Sequence, residues 1–199
     1  EGYYQETGRA GRDGGKGDLM TFYDYKDIEK LEKFLQGKPV AEQEVGRLLI
    51  METIAFSETS MCRRKYLLYY FGEDFDAEKC NKMCDNCKDP KKQIEGKYFI
   101  KLLLEAINES RERFKPKEIA KIMMGESNAL IKQNMNQLEN VFGSGKEKSL
   151  TFWHSIIRQA YVKKLLTKEI ERYGILKLTN EGRKFITNPY SFKITEDHN

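Results

Sequence analysis

The chain has 199 residues, of which 39% are hydrophobic and 33% are charged, and its formal net charge at pH 7 is +4. This length favours two folded modules, and the apolar content is high enough for packed cores, which argues against a disordered tail. The longest apolar runs, residues 48–51 and 100–104, are far shorter than the roughly 20 residues that cross a bilayer. We therefore expect no membrane partner.

The charge is unevenly placed along the chain. Residues 1–91 carry 15 basic and 18 acidic side chains, whereas residues 92–199 carry 20 basic and 13 acidic ones. Within the second half, residues 144–184 hold ten basic and four acidic side chains. The second half is therefore the candidate for contact with a polyanion, although a solvated lysine-rich surface would have the same composition.

The first half is predicted to be mainly helical. A polar, glycine-rich segment (residues 1–17) precedes residues 19–23, whose β-forming side chains predict a short buried strand. Apolar residues at helical spacing then predict one helix that ends near Gly37 and Pro39, and a second that reaches Phe56. Thr59 is expected to cap a third helix, which carries Cys62 and ends at Phe71 and Gly72. Residues 74–92 are expected to form a loop.

The second half shows helices followed by a hairpin. Residues 96–110 have a continuous apolar stripe, and residues 116–124 and 130–138 predict two shorter helices, the first opened by Pro116. Ser149 is expected to cap a longer helix. Residues 166–170 and 175–179 alternate around Arg172, Tyr173 and Gly174, which indicates a β-hairpin, and Thr179 opens a last helix. This order is typical of a winged helix, and the domain boundary is expected within residues 90–96.

Four cysteines stand in the arrangement Cys-x17-Cys-x3-Cys-x2-Cys, at Cys62, Cys80, Cys84 and Cys87. Four thiolates are what a closed tetrahedral zinc site requires, and a metal would hold residues 74–92, which are too polar to fold by burial. The alternatives are two disulfides in a secreted protein, or four unrelated buried cysteines. No basic start followed by an apolar stretch indicates a secretory signal, which weighs against disulfides.

The N-terminal sequence Gln5-Glu6-Thr7-Gly8-Arg9-Ala10-Gly11-Arg12-Asp13-Gly14 resembles the last signature motif of superfamily 2 helicases in the form found in RecQ proteins. Two arginines three positions apart on one turn would present their guanidinium groups in the same direction, where both can bind phosphate oxygens. The resemblance implies that Arg12 is an arginine finger for the γ-phosphate, supported by Arg9 and positioned by Gln5. A basic, flexible terminus is the alternative.

The resemblance to the RecQ family extends along the chain. The sequence around Cys62-Arg63-Arg64 and Cys84-Asp85-Asn86-Cys87 is similar to the RecQ zinc module, although the three-residue gap after Cys80 is wider than in common bacterial members. Arg63 and Arg64 are expected either to contact DNA or the motor, or to pack against the acidic residues 73–76. Residues 142–149, with Trp153 and residues 157–159, resemble the RecQ C-terminal winged helix.

Independently of the family, a glycine-rich turn with lysines that opens a helix can bind an anion, because free backbone amides and the helix dipole point the same way. Lys146, Lys148 and Ser149 are therefore the expected phosphate contacts. Trp153 lies on the apolar face and is expected in the core, with base stacking as the alternative. Arg158 lies off that face and could equally bind phosphate or remain solvated. The two histidines, His154 and His198, are expected to be surface or cap residues.

Tyr173 stands at the expected hairpin tip. An aromatic tip could stack on an exposed base pair and part the strands, but in so short a hairpin we favour a simple DNA or structural contact, in which Tyr173 caps its own turn or covers Ile170.

The resemblance implies a mainly α fold with small β content, divided into the end of a second RecA-like motor lobe (residues 1–25), a helical zinc-binding domain (26–92) and a winged-helix RQC domain (93–199). It implies a fragment of an ATP-dependent 3′-to-5′ DNA helicase of recombination and repair, with structural Zn²⁺. Cytoplasmic, nucleoid-associated localisation in a bacterium follows from the same resemblance.

No phosphate-binding loop of the form Gly-x4-Gly-Lys-[Ser/Thr] is found in the sequence, so ATP and Mg²⁺ are expected only in the full-length parent, and this chain alone should be inactive. The expected partner is duplex or branched DNA with weak sequence preference, besides proteins that could bind the winged helix. A zinc and winged-helix DNA-binding protein without a motor is the alternative.

Overall fold

The computed structural model describes residues 2–22, 24–169 and 172–195. Within these ranges the chain is mainly helical, with ten α-helices and two two-stranded antiparallel sheets. The mainly α class with small β content is thus confirmed. In the same ranges, no helix combines the length and the apolar character that a membrane span needs.

The N-terminal segment forms one short helix, α1 (Gly2–Thr7), followed by turns to residue 14 and irregular backbone to residue 22. The strand predicted over residues 19–23 is wrong for its described part, residues 19–22; Tyr23 lies outside the described residues. The physical reason is that a strand needs a hydrogen-bonded neighbour, and no described strand pairs with this segment. Its side chains are accordingly exposed, with Phe22 at 87%.

The next part of the chain, residues 24–92, is called the cysteine module. It contains α2 (Tyr25–Lys33), α3 (Val40–Glu58), α4 (Arg63–Tyr70), a 3-10 turn (Ala77–Cys80) and α5 (Asp85–Lys88). The predicted helices are therefore found, and residues 74–92 are more ordered than the loop we expected. The cap prediction for Thr59 is wrong: Thr59 ends α3, its hydroxyl accepts a hydrogen bond from the Met61 amide, and α4 begins after Cys62.

Residues 93–195 form the winged-helix module. Its elements are β1 (Gln93–Glu95), α6 (Lys97–Glu109), α7 (Pro116–Met124), α8 (Ala129–Gln133), α9 (Leu150–Val162), β2 (Leu166–Glu169), β3 (Ile175–Leu178), α10 (Asn180–Thr187) and β4 (Lys193–Thr195). The Ser149 and Thr179 caps are confirmed, because their hydroxyls accept hydrogen bonds from the Phe152 and Gly182 amides. The helix predicted over residues 130–138 is interrupted after Gln133 and continues as a 3-10 turn.

The apolar core lies almost entirely in the winged-helix module. α6, α7 and α9 bury their apolar faces against one another and against the hairpin, and the largest fully buried side chains include Trp153, Phe114 and Phe185. Trp153 is thus a core residue, as predicted. β1 and β4 pair across the module with Ile94 opposite Ile194, a pairing that the sequence did not suggest.

The cysteine module has a much smaller core. Its buried apolar cluster consists of Ala55 and Tyr66 together with Val162, which comes from α9 of the winged-helix module. Two aromatic side chains of α1 also contact the cysteine module. The ring centre of Tyr3 lies 4.9 Å from that of Phe56, and the ring centre of Tyr4 lies 4.7 Å from that of Phe71. Apolar burial alone therefore contributes little to holding this module together.

Candidate functional site

The four cysteine sulfurs lie together, all within 4.8 Å of one another. Cys62 precedes α4, Cys80 closes the 3-10 turn, Cys84 precedes α5 and Cys87 lies within it. Zn–S bonds of about 2.3 Å place tetrahedral sulfurs about 3.8 Å apart, so this cluster fits a zinc ion with small adjustments. The predicted set is thus brought together, and all four cysteines are free thiols instead of disulfides.

The thiols perturb one another because they are packed in a partly buried site. Burial raises the pKa of Cys62 and raises that of Cys87 still further. Burial acts in the same direction on Cys80, but hydrogen bonds from the Cys84 amide and from the neighbouring thiols outweigh it and lower the pKa of Cys80 to about 7. Four deprotonated thiols at this spacing would repel one another, so the cluster needs a bound cation to hold its thiolate form.

Two polar side chains of the Cys84–Cys87 segment tie it to the Cys62 segment. The buried Asn86 amide donates to the carbonyl oxygens of Thr59 and Met61, both at 2.7 Å. The Asp85 carboxylate accepts two hydrogen bonds from the Arg63 guanidinium at 2.9 Å, through Nε and Nη2. These hydrogen bonds, which do not depend on a metal, hold the segment of Cys84 and Cys87 beside Cys62. Sequence reasoning missed this role of Asp85 and Asn86, although both stand between the paired cysteines.

The two arginines after Cys62 have different environments. Arg63 donates to the carbonyl oxygens of Phe56 and Ser57 in addition to Asp85, so it joins the end of α3 to α5. It therefore does not pack against residues 73–76, and its charge is already paired within the module. Arg64 lies over the Phe75 ring at 5.7 Å, within that stretch, so the packing alternative holds for Arg64 alone.

The proposed phosphate contacts stand at the N-terminal end of α9, where Ser149 is the N-cap and Lys146 and Lys148, here called the α9 lysines, precede the helix. Lys146 and Ser149 are exposed, and the Lys148 ammonium lies 5.2 Å and 5.1 Å from the ring centres of Phe99 and Phe152. The two glycine amides of this turn are not free, contrary to our expectation. Those of Gly143 and Gly145 donate to Ile122 and Met123 at 2.7 and 2.9 Å, which fixes the turn to the end of α7. The lysine side chains are therefore the cations that this turn offers to an anion, beside the exposed Ser149.

Arg158 and His154 lie further along α9 and are not on that surface. Arg158 is partly buried and close enough to Tyr66 of the cysteine module to affect its pKa. His154 is partly buried, and burial together with the positive charges of Arg158 and Lys117 lowers its pKa to about 4. It is thus only partly at the surface, and His198 lies outside the described residues.

Tyr173 does stand at the hairpin tip, but the tip is not isolated. Its backbone is left-handed (φ 56°), its side chain is 38% exposed, and the Lys115 ammonium lies 5.6 Å from the ring centre. A Cβ on the neighbouring Gly174 would lie 2.7 Å from Leu48 on α3, so the tip touches the cysteine module. Ile170, which Tyr173 was expected to cover, lies outside the described residues.

Ion pairs extend this contact between the modules. Lys168 on β2 pairs with Glu52 on α3, and both side chains are only 19% exposed. Lys115 pairs with Glu44 on the same helix, and Lys164 pairs with Asp74 at the surface. Near the end of α9, the Tyr69 hydroxyl donates to the Tyr161 carbonyl oxygen at 2.8 Å. The hairpin is thus attached to α3, and the end of α9 to α4.

The residues of the arginine motif are exposed, and they do not share one helical turn. Gln5 is in α1, whereas Arg9 and Arg12 lie in the turns after it and are separated by Gly11 with φ 76°. Arg9 is 3.6 Å from Glu6 across an exposed ion pair. The helical turn that we expected the two arginines to share is therefore wrong, while the catalytic assignment of Arg12, Arg9 and Gln5 stays a prediction.

Comparison with protein families gives two matches that follow each other along the chain. Residues 25–88 match the RecQ zinc-binding family, and residues 90–199 match the RQC domain, which is more than half of the chain. The four cysteines fall within the first match, and the α9 lysines and the hairpin within the second.

Among curated proteins, the chain is 39% identical over 160 residues to the ATP-dependent DNA helicase RecQ of Pasteurella multocida and 37% identical over 160 residues to that of Haemophilus influenzae. Each match covers 80% of this chain but only 25% and 26% of the relative. The ATP-dependent helicase SGS1 of Saccharomyces cerevisiae is 33% identical over 181 residues, which are 86% of this chain and 11% of that protein. The chain thus spans about a quarter of the length of the bacterial relatives.

Proposed function

The chain belongs to the RecQ family, and on that premise we propose that it is the C-terminal part of an ATP-dependent DNA helicase that unwinds duplex or branched DNA in the 3′-to-5′ direction. The observation that carries the proposal is the four-cysteine cluster within the zinc-binding match, attached through α3 and α4 to an RQC winged helix. Recombination and repair are the processes that we infer for the parent, and the bacterial cytoplasm, at the nucleoid, is the inferred location.

The proposal assigns one task to each part of the chain. Residues 1–25 end the second RecA-like lobe, where Arg12 stabilises the charge that develops on the γ-phosphate, with Arg9 and Gln5 beside it. Residues 26–92 bind structural zinc through the four cysteines. Residues 93–199 bind duplex DNA through Lys146, Lys148 and Ser149, with protein partners as a further use of the winged helix. ATP and Mg²⁺ bind only in the full-length parent, so the fragment alone is inactive.

Arg158 and Tyr173 receive narrower roles. Arg158 lies nine residues after Ser149, about 13 Å along the helix, and near the cysteine module, so we assign it to the contact between modules and not to phosphate. The attachment of the hairpin tip to α3 supports a DNA or structural contact by Tyr173 more than insertion between strands.

The motor assignment is tested in the full-length parent with Arg12→Ala. We expect ATP turnover to fall roughly a thousandfold with DNA binding nearly unchanged, because a transition-state arginine acts on the chemical step. Lys16→Ala, an exposed cation a few residues later, is the matched control. Loss of DNA binding with hydrolysis preserved would contradict the finger assignment, and unwinding of substrates with 5′ tails but not 3′ tails would contradict the direction.

The DNA surface is tested on this chain with blunt duplexes. Lys146→Ala and Lys148→Ala should each weaken binding for all sequences and lower the salt dependence by about one ion, because phosphate contacts release counterions. Lys79→Ala, in the cysteine module, should change neither quantity. Equal effects of all three variants would show that the α9 lysines act only through net charge.

A further inference from the structure

A surface cavity of about 420 Å³ lies beside the hairpin tip, on the winged-helix module and away from the zinc cluster and the α9 lysines. Its walls come from the connection between α6 and α7, from α7 itself, from α8 and from the hairpin. The side chains that matter for its chemistry are Arg113, Lys115, Glu118, Leu130, Arg172 and Tyr173. Cavities of this size hold ligands as large as a nucleotide.

The apolar part of the wall is suited to a flat ring. Leu130 is 48% exposed and Tyr173 is 38% exposed, so both present apolar surface that the fold itself does not cover. A base stacks on an aromatic side chain whatever its identity, because every base has a π-face. A flat aromatic ligand therefore suits this wall better than an aliphatic chain does.

The charged part of the wall is suited to a phosphate. Lys115 is already paired with Glu44, which leaves Arg113 and Arg172 as the available cations. Arg113 forms no ion pair or hydrogen bond with another residue in the described ranges, and Arg172 lies at the long distance of 3.9 Å from Glu169. Two guanidinium groups beside an aromatic ring favour a ligand that has both a phosphate and a base.

The carboxylate in the wall adds a preference among bases. Oε2 of Glu118 is buried and has no hydrogen-bond partner among the described residues, although Glu118 lines the cavity. A buried acceptor without a donor is costly, so rotation of this carboxylate toward a ligand that supplies an N–H group would be favourable. Cytosine, adenine and guanine carry an exocyclic amino group, whereas thymine carries none, and a carboxylate is a known acceptor for the cytosine N4 amino group.

We propose that this cavity binds one unpaired nucleotide of a DNA strand, with its base against Tyr173 and Leu130, its amino group toward Glu118 and its phosphate toward Arg113 and Arg172. The proposal rests on the proposed DNA-binding function and deepens it: the site would hold a nucleotide that has left the duplex, and bases with an amino group would be preferred over thymine.

The test measures binding of this chain to a labelled duplex that is blunt, or that carries a single-stranded tail of cytidines or of thymidines. We expect the cytidine tail to bind at least about fivefold more tightly than the thymidine tail. Glu118→Gln should reduce that difference to less than about twofold, because an amide offers a donor as well as an acceptor. Glu126→Gln, the same charge change at an exposed position after α7, should leave it unchanged.

Three further variants separate the ring and the phosphate contacts from general effects. Tyr173→Phe should retain tail binding, whereas Tyr173→Leu should weaken it about fivefold or more, because only the first keeps a stacking ring. Arg113→Ala should weaken binding of both tails equally and lower the salt dependence by about one ion, and Lys97→Ala should not.

The outcomes also separate this site from the proposed function. If the chain binds no DNA at all, the proposed function fails. If blunt duplexes bind through the α9 lysines but tails add nothing, or if Glu118→Gln keeps the preference for cytidine, the cavity is not a nucleotide site. If free deoxycytidine monophosphate competes as well as the tailed duplex, the ligand is a free nucleotide and the assignment to a DNA strand is overturned.

Discussion

The two modules of this chain are held together by different forces. The winged-helix module packs three helices and a hairpin around fully buried side chains such as Trp153 and Phe185, whereas the apolar cluster of the cysteine module, in its described residues, has only Ala55 and Tyr66 as its own buried members. In place of a core, the cysteine module has four thiols, the Asn86 amide and the ion pair between Arg63 and Asp85. Modules of similar helical content can thus depend on burial in one case and on metal ligation and polar contacts in the other.

Removing the metal should give the largest effect, and only in one module. Zinc removal by a chelator, or Cys84→Ser, should unfold residues 59–92, because structural zinc contributes on the order of 10 kcal/mol to its domain. Hydrogen exchange should show loss of protection there while α6, α7 and α9 remain protected. Elemental analysis should find one zinc per chain beforehand, and substoichiometric zinc in a folded protein with four free thiols would contradict the metal assignment.

A core substitution should destabilise the winged-helix module and leave the cysteine module unchanged. Trp153→Ala removes a fully buried ring and the hydrogen bond that its Nε1 donates to the Gly145 carbonyl oxygen at 2.9 Å. We expect a loss of about 3–5 kcal/mol in the free energy of unfolding of the winged-helix module. Zinc content should stay unchanged. Zinc release by this variant at temperatures where the cysteine module is otherwise stable would show that the two modules unfold as one unit.

Acid should destabilise the winged-helix module through His154. Its pKa is lowered to about 4 in the folded chain, so the folded state keeps it neutral while the unfolded state binds a proton below about pH 6.5. The stabilisation is therefore complete above about pH 6.5 and is lost as the pH falls toward 4, by up to about 3 kcal/mol. Urea unfolding followed by Trp153 fluorescence should show this pH dependence of the free energy of unfolding, and His154→Gln should reduce it. The single tryptophan reports on this module and not on the acid-sensitive thiolates.

The smallest effect should come from the contact between the modules. Lys168→Met removes one partner of the partly buried pair with Glu52 and should cost about 1.5–3 kcal/mol, because the carboxylate loses a charged hydrogen bond. Lys164→Met breaks the exposed pair with Asp74 and should cost under about 1 kcal/mol. Equal losses in the two variants, measured by thermal unfolding, would mean that burial of the Lys168 pair adds nothing.

The features that the sequence predicted best are those that depend on residues close together along the chain. The helices of both modules, the Ser149 and Thr179 caps and the hairpin follow from apolar spacing and capping residues, and the grouping of the four cysteines follows from their residue type and spacing. The pairing of β1 with β4 could not be predicted, because three-residue strands a hundred positions apart carry no local signal. Nor could the sequence show that the strand predicted over residues 19–23 would have no partner strand among the described residues.

The same reason limits what sequence could say about the site. The lysines and cysteines were found by residue type and spacing, but the lowered pKa of His154 and the contact of Gly174 with Leu48 depend on tertiary packing. The amides of the glycine-rich turn illustrate the point, since they donate to residues of α7 that lie some twenty positions earlier in the chain.

The contact between Gly174 and Leu48, together with the ion pair between Lys168 and Glu52, has a mechanical consequence. A hairpin of two four-residue strands without further contacts would deform easily. Its contacts with α3, a helix of 19 residues, restrain the hairpin and hold its tip in place. A force applied to the tip is then transmitted to α3 at two points, and a displacement of that helix would move the tip with it.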